Sequence, residues 1–238
     1  MALLNRLVNP CTPLATDLDK AQLEDNVFFT FHRAAQSKDV AKYGLKDVVA
    51  DLNNETIGSP LARIARINAR RFSTWSNCTF SNYHDQVLPL FTSTIRDDES
   101  VFRQYQWMLC IEGGGATSLA ESKSPFNELK YSNLQHSWYT SCHDAFGLTQ
   151  AESDRRIALA QQTFQGLTPK VANVVFPSGS FDPWRGLCPS NATHLPHPSS
   201  TVVYMDGISH CGDMVMKNNA TPVMTWAHQE IDHQVGLF

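Results

Sequence analysis

Asp182 and His210 are the two residues of this chain whose types, order and surroundings allow them to do chemistry together. A neutral imidazole is a weak base that spends part of its time in the wrong tautomer. A carboxylate brought from another loop fixes the tautomer and stabilises the imidazolium formed when the base takes a proton. Asp182 follows the run Val171 to Phe176 by way of Pro177, Ser178, Gly179, Ser180 and Phe181, and His210 follows Thr201 to Met205. Both runs carry β-branched residues and read as short strands. Each candidate therefore falls in the loop past a strand's carboxyl end, where open α/β sheets gather their chemistry. The separation of 28 residues leaves room for one crossover back to a neighbouring strand. Pro183 and Trp184 are expected to stiffen and cover the acid loop.

Acid followed by histidine is the order of the last two members of an α/β-hydrolase triad, whose serine comes first on a Gly-x-Ser-x-Gly turn. No such turn occurs in the sequence. Gly207, Ile208, Ser209, His210, Cys211 and Gly212 come nearest, but the second glycine is one residue late and the histidine itself lies inside. A triad whose nucleophile position falls upstream of Met1 describes the C-terminal part of an enzyme. Asp206 and Asp213 flank the histidine as alternative acids. Asp206 is too close in sequence to hold the imidazole easily from behind, and Asp213 is better placed to cap the following turn. Cys188, His194, His197, His210 and Cys211 form a loose group without zinc-ligand spacing, so neither a metal nor a cofactor is expected. His228 and His233, five residues apart, do not share a helix face and read as surface residues, with Val223 and Trp226 as core contacts of the same helix.

Most of the preceding chain has helical periodicity. Leu23, Val27, Phe28, Phe31, Ala34 and Ala35 repeat within a helix running from Thr16 to about Val40, and Thr16 with Asp19 forms a capping box at its start. Ser59 and Pro60 open a second helix to about Arg71, and Asp97 to about Cys110 reads as a third. Thr149 with Glu152 caps a fourth through Ile157, Leu159, Ala160 and Phe164, ended by Gly166. Strand signals come only after that, followed by a last helical stretch near Thr221 to His233. The expected fold class is α/β: a helical cap region over residues 1–165, then a partial α/β-hydrolase sheet, its C-terminal strands, over 166–238. Two strands cannot bury both faces of such a sheet by themselves.

With 238 residues, 42% of them hydrophobic, the chain can bury a substantial core. A net charge of -4 and a pI near 6.1 supply no broad basic surface, which argues against a nucleic-acid partner. Arg63, Arg66, Arg70 and Arg71 cluster on one helix, but Leu61, Ile64 and Ile67 occupy its other face, so the arginines read as a solvated face. No apolar run approaches the roughly 20 residues that span a bilayer. Cys11, Cys78, Cys110, Cys142, Cys188 and Cys211 lack C-x-x-C spacing, and Asn54, Asn77, Asn191 and Asn219 begin glycosylation sequons. Together these point to a secreted or lysosomal glycoprotein with disulfides.

The stretch from Ser178 to Trp184 resembles the acid motif of the serine peptidases that include Pro-X carboxypeptidase, dipeptidyl peptidase II and thymus-specific serine peptidase. Gly207 to Met214 is similar to that family's histidine motif, especially in the thymus-type branch. The likeness extends to Trp107, Cys110 and Glu112, to Pro125 and Phe126, and to Cys142, Phe146 and Gly147, with a weaker match at Asn9 to Leu14. It covers most of the chain. Departures occur at Gly113, Gly114, Gly115 and Ala116, at Ser178 in place of a usual asparagine, and at Cys188 and Cys211. The resemblance implies a Cys110–Cys142 disulfide and serine-type exopeptidase chemistry on proline-containing peptides, with Asp182 and His210 catalytic. Lacking a nucleophile, the chain alone is expected to be inactive. The competing expectation is a non-catalytic, truncated homologue that binds peptides or a partner.

Overall fold

The computed structural model describes residues 8–38, 43–72, 77–95, 101–113, 118–120, 123–216 and 221–237. Gly114, Gly115, Ala116, the sequon residue Asn219, and the expected helix start at Asp97 lie outside them. Among the described residues helices dominate, and the sheet consists of two parallel strands. By its internal contacts the chain divides into two compact units, one of Met1–Thr30 with Asp51–Gln161 and the other of Phe31–Ala50 with Gln162–Phe238.

The capping signals in the sequence do what they promise. In α1, Asp17–Gln36, the Asp19 amide donates to Thr16 Oγ1 at 3.1 Å while the Thr16 amide donates to the Asp19 carboxylate at 2.9 Å. This closes the reciprocal box that satisfies donors otherwise orphaned in the first turn. The helix α2, Leu45–Asn53, was not anticipated, although Leu45, Val48, Val49 and Leu52 repeat at helical spacing and the Gly44 amide bonds Asp47 at 2.9 Å. Ser59 starts α3, Pro60–Phe72, through a bond from the Ala62 amide. On this helix Ile67 is fully buried, and Arg66 and Arg70 reach Asp51 at 3.5 and 3.2 Å while staying half exposed. Two short helices follow, α4 at Leu88–Thr92 and α5 at Phe102–Met108, the latter running on as a π-helical turn over Leu109–Gly113. Next come α6, Thr140–Phe146, and α7, Gln150–Phe164, the second capped by Thr149.

The first unit holds a core of Cys110, Trp138, Cys142 and Leu148. Two disulfides staple it. Cys110–Cys142 is the pair the family resemblance implies, and Cys11–Cys78 closes a separation of 67 residues that the sequence left unassigned. Tyr83 is wholly buried, its amide donating to Asp19 at 3.0 Å and its hydroxyl to Asp144 at 3.1 Å. Glu24 accepts the amides of Tyr131 and Ser132, while Asp25 accepts the Ser132 hydroxyl at 2.5 Å.

In the second unit β1, Val175–Gly179, pairs in parallel with β2, Thr201–Met205, in the register Val175↔Thr201 through Gly179↔Met205. The first strand thus begins four residues later than the run Val171 to Phe176 suggested and passes through Pro177. Asn173, at φ +59°, kinks the chain out of extended conformation before the strand starts. A proline, which lacks the ladder donor, is tolerated where one side of a strand is unpaired, and among the described residues each strand pairs only with the other. The helices α8, Gly212–Val215, and α9, Pro222–Gly236, complete the unit. Val203, Met205, Ile208, Met224 and Ala227 form its core, with Val175, Val223 and Ile231 packed against it. Trp226 is not part of that core: it is 46% exposed, because it sits on the helix face opposite Met224, Ala227 and Ile231.

Two outcomes follow for the first unit. Replacing Cys11 and Cys78 together by serine is expected to lower its stability by about 3 to 4 kcal/mol, read from urea unfolding, because the unfolded chain regains the entropy of a long loop. Burial pushes the Asp25 carboxyl up to about 6, against the Ser132 and Ser137 hydroxyls and with help from the Glu24 charge. The folded state therefore holds a proton that the unfolded chain has released, and stability falls as pH rises from about 4 to about 6. Asp25→Asn should flatten that fall by on the order of 1 to 2 kcal/mol, measured as the variant-minus-parent difference in unfolding free energy across the window.

Candidate active site

The site is built where the two strands end. Because they are parallel and in register, the chain leaves both at the same edge of the sheet, and the acid loop and the histidine loop start side by side. Their closeness requires a glycine. A Cβ on Gly179 would meet the backbone carbonyls of Ile208 and Ser209, the latter at 2.7 Å, so only a hydrogen fits. The acid loop then folds tightly: the Asp182 amide donates to Gly179 O at 3.2 Å and the Arg185 amide to Asp182 O at 3.1 Å, leading into a 3-10 turn at Arg185–Leu187.

Within this frame the Asp182 carboxylate and the His210 imidazole meet. Asp182 Oδ2 lies 2.8 Å from His210 Nδ1, and Oδ1 accepts the Trp184 amide at 2.8 Å. Asp182 is 8% exposed, whereas the His210 side chain is about one third exposed. A carboxylate facing Nδ1 can only accept, so the imidazole proton resides on Nδ1 and the Nε2 lone pair is left available. Among the described residues Nε2 makes no hydrogen bond. A ring held in this tautomer by a buried acid, with its far nitrogen open, is equipped to take a proton from a hydroxyl placed beside it.

Trp184, whose amide bonds Asp182, has its indole donating to Gln36 at 3.2 Å and lying edge-on to His32 at 4.7 Å between centroids. Lys38 sits 5.2 Å from the Phe181 ring. The sequence singled out Asp182 and His210 as candidates but not these contacts of residues 32–38, because nothing in the local pattern ties a helix end to a loop some 150 residues away. Cys211, next to the histidine, adopts φ +51°, a left-handed conformation unusual for a residue with a Cβ and a local strain that the surrounding loop maintains.

The remaining candidates are placed elsewhere. Asp206 accepts the Ser180 hydroxyl at 2.9 Å, and Asp213 O bonds His228 Nε2 at 2.7 Å, so His228 is tied to the preceding short helix α8 rather than lying free on the surface. His197 Nδ1 contacts the Ser199 hydroxyl at 2.8 Å. Cys188 and Cys211 remain unbridged, and burial, then the charge of nearby aspartates, raises both thiols. Among the described residues no three His, Cys, Asp or Glu side chains gather in a metal-holding arrangement. In the other unit Trp107 stacks edge-on with Phe146 at 5.2 Å, close to the Cys110–Cys142 bridge.

The contact at Gly179 yields a direct test. Gly179→Ala is expected to destabilise the second unit by about 1 to 3 kcal/mol, since backbone must move to admit the methyl group. The same change should weaken the bond between Asp182 and His210, visible as loss of the downfield Nδ1 proton in an NMR spectrum.

No curated protein matches this chain. The sequence profile of the serine carboxypeptidase S28 family matches residues 2–231, nearly the whole chain and both loops of the site. A match of that extent shows the family: the chain belongs to the serine carboxypeptidase S28 family of serine peptidases.

Proposed function

We propose that Asp182 and His210 are the acid and base of a serine-type exopeptidase site that acts on proline-containing peptides. The single observation carrying this reading is the 2.8 Å contact between Asp182 Oδ2 and His210 Nδ1, with Nε2 open. In the reaction a serine hydroxyl attacks the peptide carbonyl as Nε2 takes its proton. Asp182 stabilises the imidazolium, and the proton then passes to the departing amine. Water repeats the sequence on the acyl-enzyme to release the acid product.

The 238 residues contain no Gly-x-Ser-x-Gly turn, so the nucleophile belongs, in this proposal, to a segment encoded outside them. The two strands are then the last of an α/β-hydrolase sheet, residues 166–238 are the C-terminal part of the catalytic domain, and residues 1–165 are the helical cap. The compartment proposed is secreted or lysosomal. Two disulfides support it, as do the exposed sequon asparagines Asn54, Asn77 and Asn191. No helix among the described residues is long and apolar enough to cross a membrane. The absent serine turn also favours a second reading, a non-catalytic homologue that binds peptides.

Mapping the native message and assaying its full product decides between them. An in-frame glycine-rich serine turn, with hydrolysis of an Xaa-Pro reporter reduced about 10⁴-fold by Asp182→Asn, is the expected result. A message starting at Met1, whose product binds peptides without cleaving them, selects the binding protein. Turnover by the 238-residue chain that survives His210→Ala overturns the catalytic assignment.

A further inference from the structure

We propose that Ser180 and Asp206 are positioning residues, a latch that sets the spacing between the acid loop and the histidine loop and thereby holds the Asp182–His210 bond. The inference rests on reading that pair as acid and base. The strand register ends at Gly179↔Met205, so Ser180 and Asp206 are the next residues across from one another, where the regular strand pairing ends. A side-chain bridge adds to the backbone bonds there. Ser180 Oγ donates to Asp206 Oδ1 at 2.9 Å and accepts the Gly207 amide at 2.7 Å. On the backbone the Ser180 amide donates to Met205 O at 3.0 Å and the Phe181 amide to Ile208 O at 3.0 Å. Arg185 closes the acid loop from its other side by donating to Ser180 O at 2.8 Å.

Every polar atom of Ser180 is thus committed, and three of its partners, Met205, Asp206 and Gly207, belong to the exit of β2. Asp182 lies two residues beyond Ser180, and His210 four beyond Asp206. Removing the hydroxyl strips a donor from Asp206 and an acceptor from the Gly207 amide together, at the point where the two chains begin to diverge. Gly207, at φ +77°, turns the histidine loop immediately after its amide is pinned, so the direction of that turn depends on the bridge. The carboxylate of Asp206 accordingly orients the site through Ser180 and never touches the imidazole.

The test reads the bond itself. In the full chain, labelled with ¹⁵N-histidine, the exchange of the His210 Nδ1 proton with water is compared between parent, Ser180→Ala, Asp206→Ala and the conservative Ser180→Thr and Asp206→Asn. Exchange about tenfold faster in both alanine variants, with recovery in the threonine and asparagine variants, is the expected result. A loss of urea stability with unchanged exchange means that the residues only support the fold and overturns the proposal, as does equal exchange in all five proteins. Should Ser180→Ala not fold, Asp206→Ala, which leaves the hydroxyl in place, decides alone. Fast exchange in the alanine variants beside hydrolysis by the longer enzyme that ignores His210→Ala would leave the latch standing and remove the catalytic reading instead.

Discussion

The parallel ladder between β1 and β2 is the constraint from which the site derives. Five paired positions, Val175↔Thr201 to Gly179↔Met205, fix where each strand stops. Had the pair been antiparallel, the two exits would lie at opposite ends of the sheet, some 17 Å apart for strands of this length. Because they leave together, a carboxylate three residues past one strand and an imidazole five residues past the other can share a proton. The register also dictates composition. Gly179 is bare because the carbonyls of Ile208 and Ser209 occupy the space a side chain would need.

What sustains the ladder is burial on one face. Val203, Met205 and Ile208 pack on Met224 and Ala227 of α9, and no other described strand lies beside the pair. The interactions at the strand ends are polar. Short hydrogen bonds from Ser180, Trp184 and Arg185 carry order from the apolar core outward to the acid, in a region where the chain has no regular structure of its own. Such bonds are individually modest but expensive to leave unmade once their partners are shielded. Precision at the imidazole therefore depends on several weak contacts being satisfied together.

The first unit follows a different physical plan. Three of its helices, α4, α5 and α6, are short and continuous with π-helical turns, and its buried set is rich in polar groups such as Asn68, Thr79, Ser132 and Ser141. Disulfides supply the cross-links that a larger apolar core would otherwise make unnecessary. Thr79 shows how the two devices combine. Its hydroxyl donates to Val8 O and accepts from Asn68, next to the Cys11–Cys78 bridge that holds the same segment.

Sequence alone determined the features that act within about four residues. Thr16, Ser59 and Thr149 cap helices because the side chain and the amide it satisfies are local neighbours. The β-branched residues of Thr201 to Met205 specified a strand for the same reason. Asp182 and His210 stood out as candidates, since each sits in a distinctive loop past a strand signal, and the structure brings their side chains to 2.8 Å. Tertiary structure decided everything that depends on distance through space: the late start of β1, the exposure of Trp226, the Cys11–Cys78 pairing, and the contacts of Gln36 and His32 with Trp184. Asp206, read along the chain as a poor alternative acid, is in space the partner of Ser180. A residue's spacing in sequence says which neighbours it can cap, but only the pairing of strands says which loop it will face.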